Sequence, residues 1–308
     1  MNESGGTILY GANNIFLVRG PEGILQCRIK GKVLSGGKGD YNPLAAGDRV
    51  RYRPDPGNPG NGVLLEREER RNALARWNRK GRAPQTLAAN LDLVVCVASP
   101  HSPPFRPRFL DRLLVACDRE GIPGLVCLNK IDQGSAPWID ERLEDFRARG
   151  VPVLLASAAE NRGLDILRDR IRGKRAVFVG QSGVGKTSIL NRLLPGVWRK
   201  VGRVCEKYNR GSHTTVLAHL EEWEGGELID TPGVREFEPH GIPPDELRFL
   251  FQEFAGPSER CAYPRCTHSH EPSCAVREAA ESGEILPDRY ESYLRIFDLL
   301  SLRERRAP

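Results

Sequence analysis

Residues 180–187 read GQSGVGKT, the spacing G-x-x-x-x-G-K-[ST], set between a strand-like run, RAVFVG, and a helical one, GKTSILNRLL. That context is what a phosphate-binding loop requires, because its backbone N–H groups wrap phosphates at the positive end of the helix. Gly180, Gln181, Ser182, Gly183, Val184 and Gly185 are expected to form the cradle, with Ser188 just inside the helix. Lys186 is expected to reach the β- and γ-phosphates, and the Thr187 hydroxyl to ligand Mg²⁺. DTPG at 230–233 follows the short strand ELID, so Asp230 can hold Mg²⁺ through water and the Gly233 N–H can meet the γ-phosphate. NKID at 129–132 discriminates between purines. An Asp132 carboxylate accepts from N1–H and the 2-amino group of guanine, a donor pair that adenine lacks. Asn129 would contact the base and brace the phosphate loop, Lys130 would lay its stem on the base plane, and Ile131 completes the segment. Ser157-Ala158 offers a backbone N–H to guanine O6. Each segment alone has a bland counterpart in a turn or a helix cap; the four together specify a GTPase.

Their order is unusual. Ras-like proteins run phosphate loop, switch threonine, DxxG, NKxD, SA, whereas here NKID and SA come first, so the domain is circularly permuted. The segment that senses γ-phosphate then leads straight into the C-terminal region, which should feel the nucleotide state. Between the phosphate motifs lies YNRGSHTTVLAHL, where Thr214 or Thr215 should close on Mg²⁺; Thr214 is assigned that role. Val234 stands after DTPG, where Ras-like enzymes have a water-orienting glutamine, and valine cannot orient water. Slow intrinsic hydrolysis is expected, and His213, beside the switch threonine, is the nearest residue to supply the missing group; its bland counterpart is an exposed loop histidine. Gly183 occupies the place of the asparagine found in potassium-assisted GTPases, so no potassium ion is expected.

A second constellation lies further on. Cys261-x₄-Cys266-x-His268-x₅-Cys274 supplies three thiolates and an imidazole, a closed tetrahedral set for one structural zinc. The spacings depart from the usual CxxC knuckle, and His270 competes with His268, which is preferred. Scattered reduced thiols are the alternative. Cys27, Cys96, Cys117, Cys127 and Cys205 read as reduced small hydrophobes rather than a disulfide framework.

The elements that must position these residues divide the chain in three. Residues 1–72 look all-β, with NNIFLVRG, GILQCRIKG and GDRVRYRP punctuated by Gly, Pro, Asn and Asp, which fits a small barrel of OB-fold type. PDPGNPGNG at 54–62 is expected to be a loop within this domain. Residues 73–245 alternate strands (LDLVVCVAS, GLVCLNK, VPVLLAS, RAVFVG) with helices (RFLDRLLVACDREG, WIDERLEDFRARG), the signature of a mostly parallel α/β sheet. Residues 246–308 are expected to be helical and zinc-binding, with Tyr290, Tyr293, Leu294 and Phe297 on one face of the last helix and Arg303, Arg305 and Arg306 at a solvated end.

At 308 residues and 39% hydrophobic, the chain is long enough for two or three domains with ordinary soluble composition. No run of about 18 apolar residues exists, so no membrane span is expected. MNESGG lacks the basic start and apolar stretch of a signal peptide, which implies a cytoplasmic address. The net charge of +6 admits a polyanionic partner as well as an ordinary basic protein.

With these residues in view, the chain resembles the circularly permuted, ribosome small-subunit-dependent GTPases (the RsgA/YjeQ family) over nearly its whole length. The likeness rests on GDRV, RRNALAR, AANLD, NKID, GQSGVGKTS, GSHTT, DTPGV and the C-x₄-C-x-H-x₅-C segment, in that order. It implies an N-terminal OB-fold, a permuted GTPase domain and a C-terminal zinc domain held by Cys261, Cys266, His268 and Cys274, with His213 as the proposed catalytic histidine. It further implies GTP and GDP as ligands, the small ribosomal subunit and its rRNA as partners, and a role late in subunit maturation, with subunit-stimulated hydrolysis. A monomer is expected. Thr187 stands where serine is usual, which keeps the hydroxyl, and Ser212 where a basic residue is common, which weakens an RNA or phosphate contact near the switch. Two other readings compete: an RNA-binding scaffold that uses GTP to tune affinity with negligible turnover, and a permuted GTPase acting on the large subunit. The β domain ahead of NKID and the zinc segment after DTPG disfavour the latter.

Overall fold

The computed structural model of the protein describes residues 3–12, 14–29, 40–194 and 218–305. Five strands, β1 (Ser4–Ala12), β2 (Ile15–Gly20), β3 (Gly23–Ile29), β4 (Arg49–Pro54) and β5 (Asn61–Arg67), close into a barrel in the order β1-β2-β3-β5-β4. Only β3 and β5 run parallel. The period-two alternation of these strands turns Ile8, Phe16, Val18, Leu25, Val50, Tyr52 and Leu64 into a single interior. Closure leaves no free edge, which suits so short a sheet. The PDPGNPGNG run is the connection between β4 and β5, as its composition indicates.

The α/β alternation begins later than expected. A separate antiparallel hairpin, β6 (Ala73–Asn78) and β7 (Ala83–Ala89), comes first. Its alanine-rich strands carry too weak a period to be read from sequence. The main sheet then has the order β10-β9-β8-β11-β13-β12, built from β8 (Leu93–Ala98), β9 (Gly124–Asn129), β10 (Val153–Ala156), β11 (Arg175–Gly180), β12 (His219–Trp223) and β13 (Gly226–Asp230). Only β12 is antiparallel to its neighbour. All six residues of β8 are buried, as expected of a strand covered on both faces. The covering helices are α1 (Pro107–Arg119), α2 (Pro137–Ala148), α3 (Leu164–Ile171) and α4 (Lys186–Leu193). Proline opens α1 and α2, where its missing N–H costs nothing.

Beyond β13 the chain makes 3₁₀ turns at Pro244–Leu250 and Gln252–Phe254 and a helical turn at Ala255–Ser258. It then forms α5 (Ala275–Ser282) and α6 (Pro287–Glu304). Tyr293, Ile296 and Leu300 of α6 join Phe251, Phe254, Val276 and the metal-cluster thiols in one core, with Tyr290, Leu294 and Phe297 packed at its margin. Two polar connections tie this region to the sheet. Asp111 of α1 is fully buried and binds Arg289 (2.8 Å) and Ser292 (2.6 Å) of α6, as well as Arg142 of α2. Glu238, also buried, is held by Arg79 from the β6–β7 turn and by Arg303 (2.7 Å) from the end of α6. Arg303 also lies 4.7 Å over the Trp77 ring, so this arginine of the last helix is engaged, not solvated as its position suggested.

The candidate nucleotide and metal sites

Parallel pairing aligns the C-terminal ends of β9, β10, β11 and β13 along one edge, the place where open α/β sheets bind ligands. NKID leaves β9, SA leaves β10, the phosphate loop leaves β11 and DTPG leaves β13. Segments far apart in the chain thereby meet one another at the strand ends.

The contacts there are specific. Asn129, buried, donates from Nδ2 to the Val184 carbonyl (2.9 Å) and accepts at Oδ1 from the Ala158 N–H (3.0 Å). The side chain thus ties NKID to both the phosphate loop and SA. The Ala158 N–H, expected to face the base, is engaged by Asn129. Lys130 adopts φ 68° and donates from Nζ to the Ser102 and Gly183 carbonyls, 2.6 Å each. Its stem therefore spans the gap between NKID and the loop. Ser157 Oγ donates to Asp132 Oδ1 (2.5 Å) and orients the carboxylate. Ile131 and Asp132 lie in a short 3₁₀ turn. Two braces were not legible in sequence: Arg192 of α4 donates to the Ala158 and Ala159 carbonyls, and the Thr231 hydroxyl to the Phe178 carbonyl.

In the phosphate loop Lys186 is buried and donates to the Gly180 (2.9 Å) and Gln181 (3.1 Å) carbonyls. Burial pulls its ammonium pKa below the ordinary lysine value, with Asp230 opposing. Gln181 and Val184 are buried, while Ser182, Gly183, Thr187 and Ser188 are exposed or nearly so at the mouth. Gly185 has φ +94°, and a Cβ there would stand 2.2 Å from Asn129 Nδ2, so only glycine fits. DTPG closes directly on this loop: Val234 N–H donates to the Gly180 carbonyl (3.1 Å), and a Cβ on Gly233 would lie 2.6 Å from Ser182 Cα.

The residues suit a bound Mg²⁺. Asp230 Oδ1 is buried without a hydrogen-bond partner among the described residues, the state of an acceptor shaped for a cation. Burial pushes the Asp230 carboxyl up to about 6, against the pull of Lys186 and a hydrogen bond from Thr187. A divalent ion would reverse that penalty. His213, Thr214 and Thr215, and with them the switch assignment, lie outside the described residues, as do Cys205, Ser212 and Arg306.

The Cys/His segment forms a compact set. The ligand atoms of Cys261, Cys266, His268 and Cys274 all lie within 4.8 Å of one another. His268 Nδ1 is 3.6 Å from Cys261 Sγ and 3.4 Å from Cys274 Sγ. A tetrahedral zinc with ordinary Zn–S and Zn–N lengths gives such edges about 3.5 Å. The opposite ring nitrogen meets Ser258 Oγ at 3.2 Å, the outer contact that fixes which nitrogen faces a metal. His270 is exposed and bonds to Ser269. Glu271 organises the loop, accepting from the Thr267 N–H (2.6 Å), the Thr267 hydroxyl (2.7 Å) and the Ser269 N–H (3.2 Å). Burial raises its pKa, but the Thr267 hydroxyl and N–H, with the Glu271 and His270 N–H groups, overcome that and bring it down to about 2.

Fold and site together define a circularly permuted GTPase, a sheet with the NKID and SA segments ahead of the phosphate loop in sequence and beside it in space. The family model described as RsgA GTPase matches residues 67–240. The chain belongs to the RsgA GTPase family. It is similar to the protein of Chlorobaculum parvum named small ribosomal subunit biogenesis GTPase RsgA, with 38% identity over 284 residues, covering 90% of this chain and 91% of that protein. A Borreliella afzelii protein of the same name is 35% identical, covering 95% of each chain. Among solved structures, that of YjeQ from Thermotoga maritima superposes with a TM-score of 0.71 at 29% identity, covering 97% of this chain and 99% of that one. The circularly permuted GTPase YloQ superposes at 0.66 with 30% identity, covering 100% and 97%.

Proposed function

We propose that this GTPase binds the small ribosomal subunit, contacts its rRNA and assists its late maturation, hydrolysing GTP to GDP and phosphate when the subunit orders the switch segment. The observation that carries this reading is the meeting of NKID, SA, GQSGVGKT and DTPG at the strand ends, in a chain whose relatives are named for small-subunit biogenesis. Asp132 reads guanine and Asn129 braces the loop. Lys186 would neutralise the β- and γ-phosphates; Thr187, Thr214 and Asp230 are the residues that would hold Mg²⁺, which when bound would supply charge neutralisation at the transferred phosphoryl group. His213 orients or activates the attacking water. The protein is a cytoplasmic monomer; among the described residues no helix is long and apolar enough to cross a membrane. Its units are the barrel (1–72), the permuted GTPase domain (73–245) and the zinc domain (246–308).

Hydrolysis measured with and without purified small subunits tests the reading. We expect stimulation on the order of 10²–10³-fold, the scale of one supplied or aligned catalytic group, and its loss in His213→Ala. A rate indifferent to subunits would remove the ribosomal reading and leave the GTPase one; negligible turnover with subunits bound would favour the scaffold alternative. The zinc is structural, since four protein ligands leave no open position. Chelation, or Cys274→Ser, should release metal and strip hydrogen-exchange protection from residues 261–282 while leaving β8–β11 protected. Unchanged protection after complete metal loss would refute the structural role.

A further inference from the structure

A groove of about 580 Å³ opens beside the phosphate loop, walled by the β8–α1 connection, the start of α2, the segment after DTPG and the start of α6. Gln181 of the phosphate loop forms part of its wall. Two features set it apart from an ordinary surface cleft. The first is Trp138, an indole left 51% exposed, tilted against Phe105 with ring centroids 5.7 Å apart. The second is a surplus of uncommitted guanidinium. Arg108, Arg142 and Arg295 on the groove are each paired with carboxylates, to Asp288, Asp111 and Glu291. The side chains of Arg106 and Arg235, both exposed, make no hydrogen bond or ion pair among the described residues, whereas Arg112 is partly buried in the field of Glu238 and Glu236. Of the groove's carboxylates, Asp288 and Glu236 are already engaged by arginines, which leaves Glu141 as the one counter-charge without an ion pair among the described residues.

Two free guanidinia, Arg106 and Arg235, beside a half-exposed indole form a site for an anion that also carries a flat π-face. We propose that the groove receives one unpaired nucleotide of the RNA partner, its base stacked on Trp138 and its flanking phosphates met by Arg106 and Arg235. The volume lies in the range of pockets that enclose single small ligands. Stacking of bases on aromatic rings with arginines tracking the backbone is the general mode of single-strand capture. An acidic peptide would satisfy the guanidinia and leave the indole without a purpose. Because Gln181 belongs to the phosphate loop and Arg235 follows DTPG closely, an occupied groove adjoins the nucleotide site directly. The proposal rests on the reading above that the partner is rRNA.

The test uses the full chain with a non-hydrolysable GTP analogue and measures anisotropy of a labelled single-stranded RNA octamer, the matching duplex, and small subunits by co-sedimentation. Trp138→Ala should weaken octamer binding by about tenfold, Trp138→Phe should retain most of it, and the duplex should be affected less. The double variant Arg106→Ala/Arg235→Ala should flatten the slope of log Kd against log salt by about 1.4, roughly 0.7 for each phosphate no longer neutralised. GTP affinity should stay unchanged in all three variants. Equal octamer binding by wild type and Trp138→Ala, with subunit binding intact, would overturn the groove assignment alone. Competition by polyglutamate that is as strong as RNA and indifferent to Trp138 would overturn it in favour of an acidic protein. No binding of wild type to RNA or subunits would instead overturn the underlying reading.

Discussion

Asp132→Asn should raise the Kd for GTP by two orders of magnitude or more. In the proposed guanine site the carboxylate would offer acceptors to both guanine donors, and hydrogen bonds to a charged group contribute about 1.5–3 kcal/mol each. Asparagine keeps one acceptor and turns an N–H₂ donor toward a donor on the base. It thereby exchanges an attraction for a repulsion. Ser157 Oγ holds one oxygen of Asp132, so the side chain cannot rotate freely to relieve the mismatch. Xanthine presents an acceptor where guanine has its 2-amino group, so xanthosine triphosphate should bind the variant better than the wild type. Isothermal titration with both nucleotides checks this. Unchanged GTP affinity, or equal affinity of the wild type for ATP, would remove the guanine assignment.

Asp111→Ala should destabilise the protein by about 3–5 kcal/mol, the cost of orphaning buried charges. Asp111 has no exposed surface and neutralises Arg142 and Arg289, with Arg149 at 3.8 Å. Burial alone would raise its pKa, but Arg289, Arg142 and Arg149 outweigh burial and hold it below the ordinary carboxylate range. A lowered folded-state value means the stabilisation is complete above the unfolded value, near pH 4, and is lost as pH falls through the folded one. The exposed pair Glu291–Arg295 provides the contrast: Glu291→Ala should change stability by no more than about 0.5 kcal/mol. Denaturant melts of both variants, followed by hydrogen exchange on α6, compare the two. A loss below about 1 kcal/mol for Asp111→Ala would mean that the arginines find other partners.

Why Asp111 was invisible in sequence is instructive. Within RFLDRLLVACDREG it reads as the polar face of an amphipathic helix, and only the packing of α6 onto α1 turns that face inward. Long-range pairing of this kind has no local period to betray it. The nucleotide site was legible for the opposite reason. Its chemistry depends on backbone turns that demand particular residues at fixed spacing, such as Gly185 at φ +94° against Asn129, and those demands are written locally. The Cys/His cluster was legible because thiolates and imidazole have few other uses at such spacing, while Glu271, which shapes the same loop, looks like any surface acid. The β6–β7 hairpin went unread because alanine in a strand carries little pattern.

The Glu238 clamp has a thermodynamic corollary. The short stretch of chain between Gly233, pressed on Ser182, and Glu238, gripped by Arg79 and Arg303, is anchored at both ends. If the γ-phosphate displaces one end, the other must carry the strain to the tip of α6 and to the β6–β7 turn. Linkage is reciprocal: a partner that draws those two elements into the triphosphate-bound arrangement tightens triphosphate binding by the same factor by which triphosphate tightens the partner. Removing the carboxylate with Glu238→Ala should leave each affinity measured alone in place and reduce their dependence on one another, the backbone bonds of Glu238 to Trp77 and of Glu236 to Arg76 holding what remains.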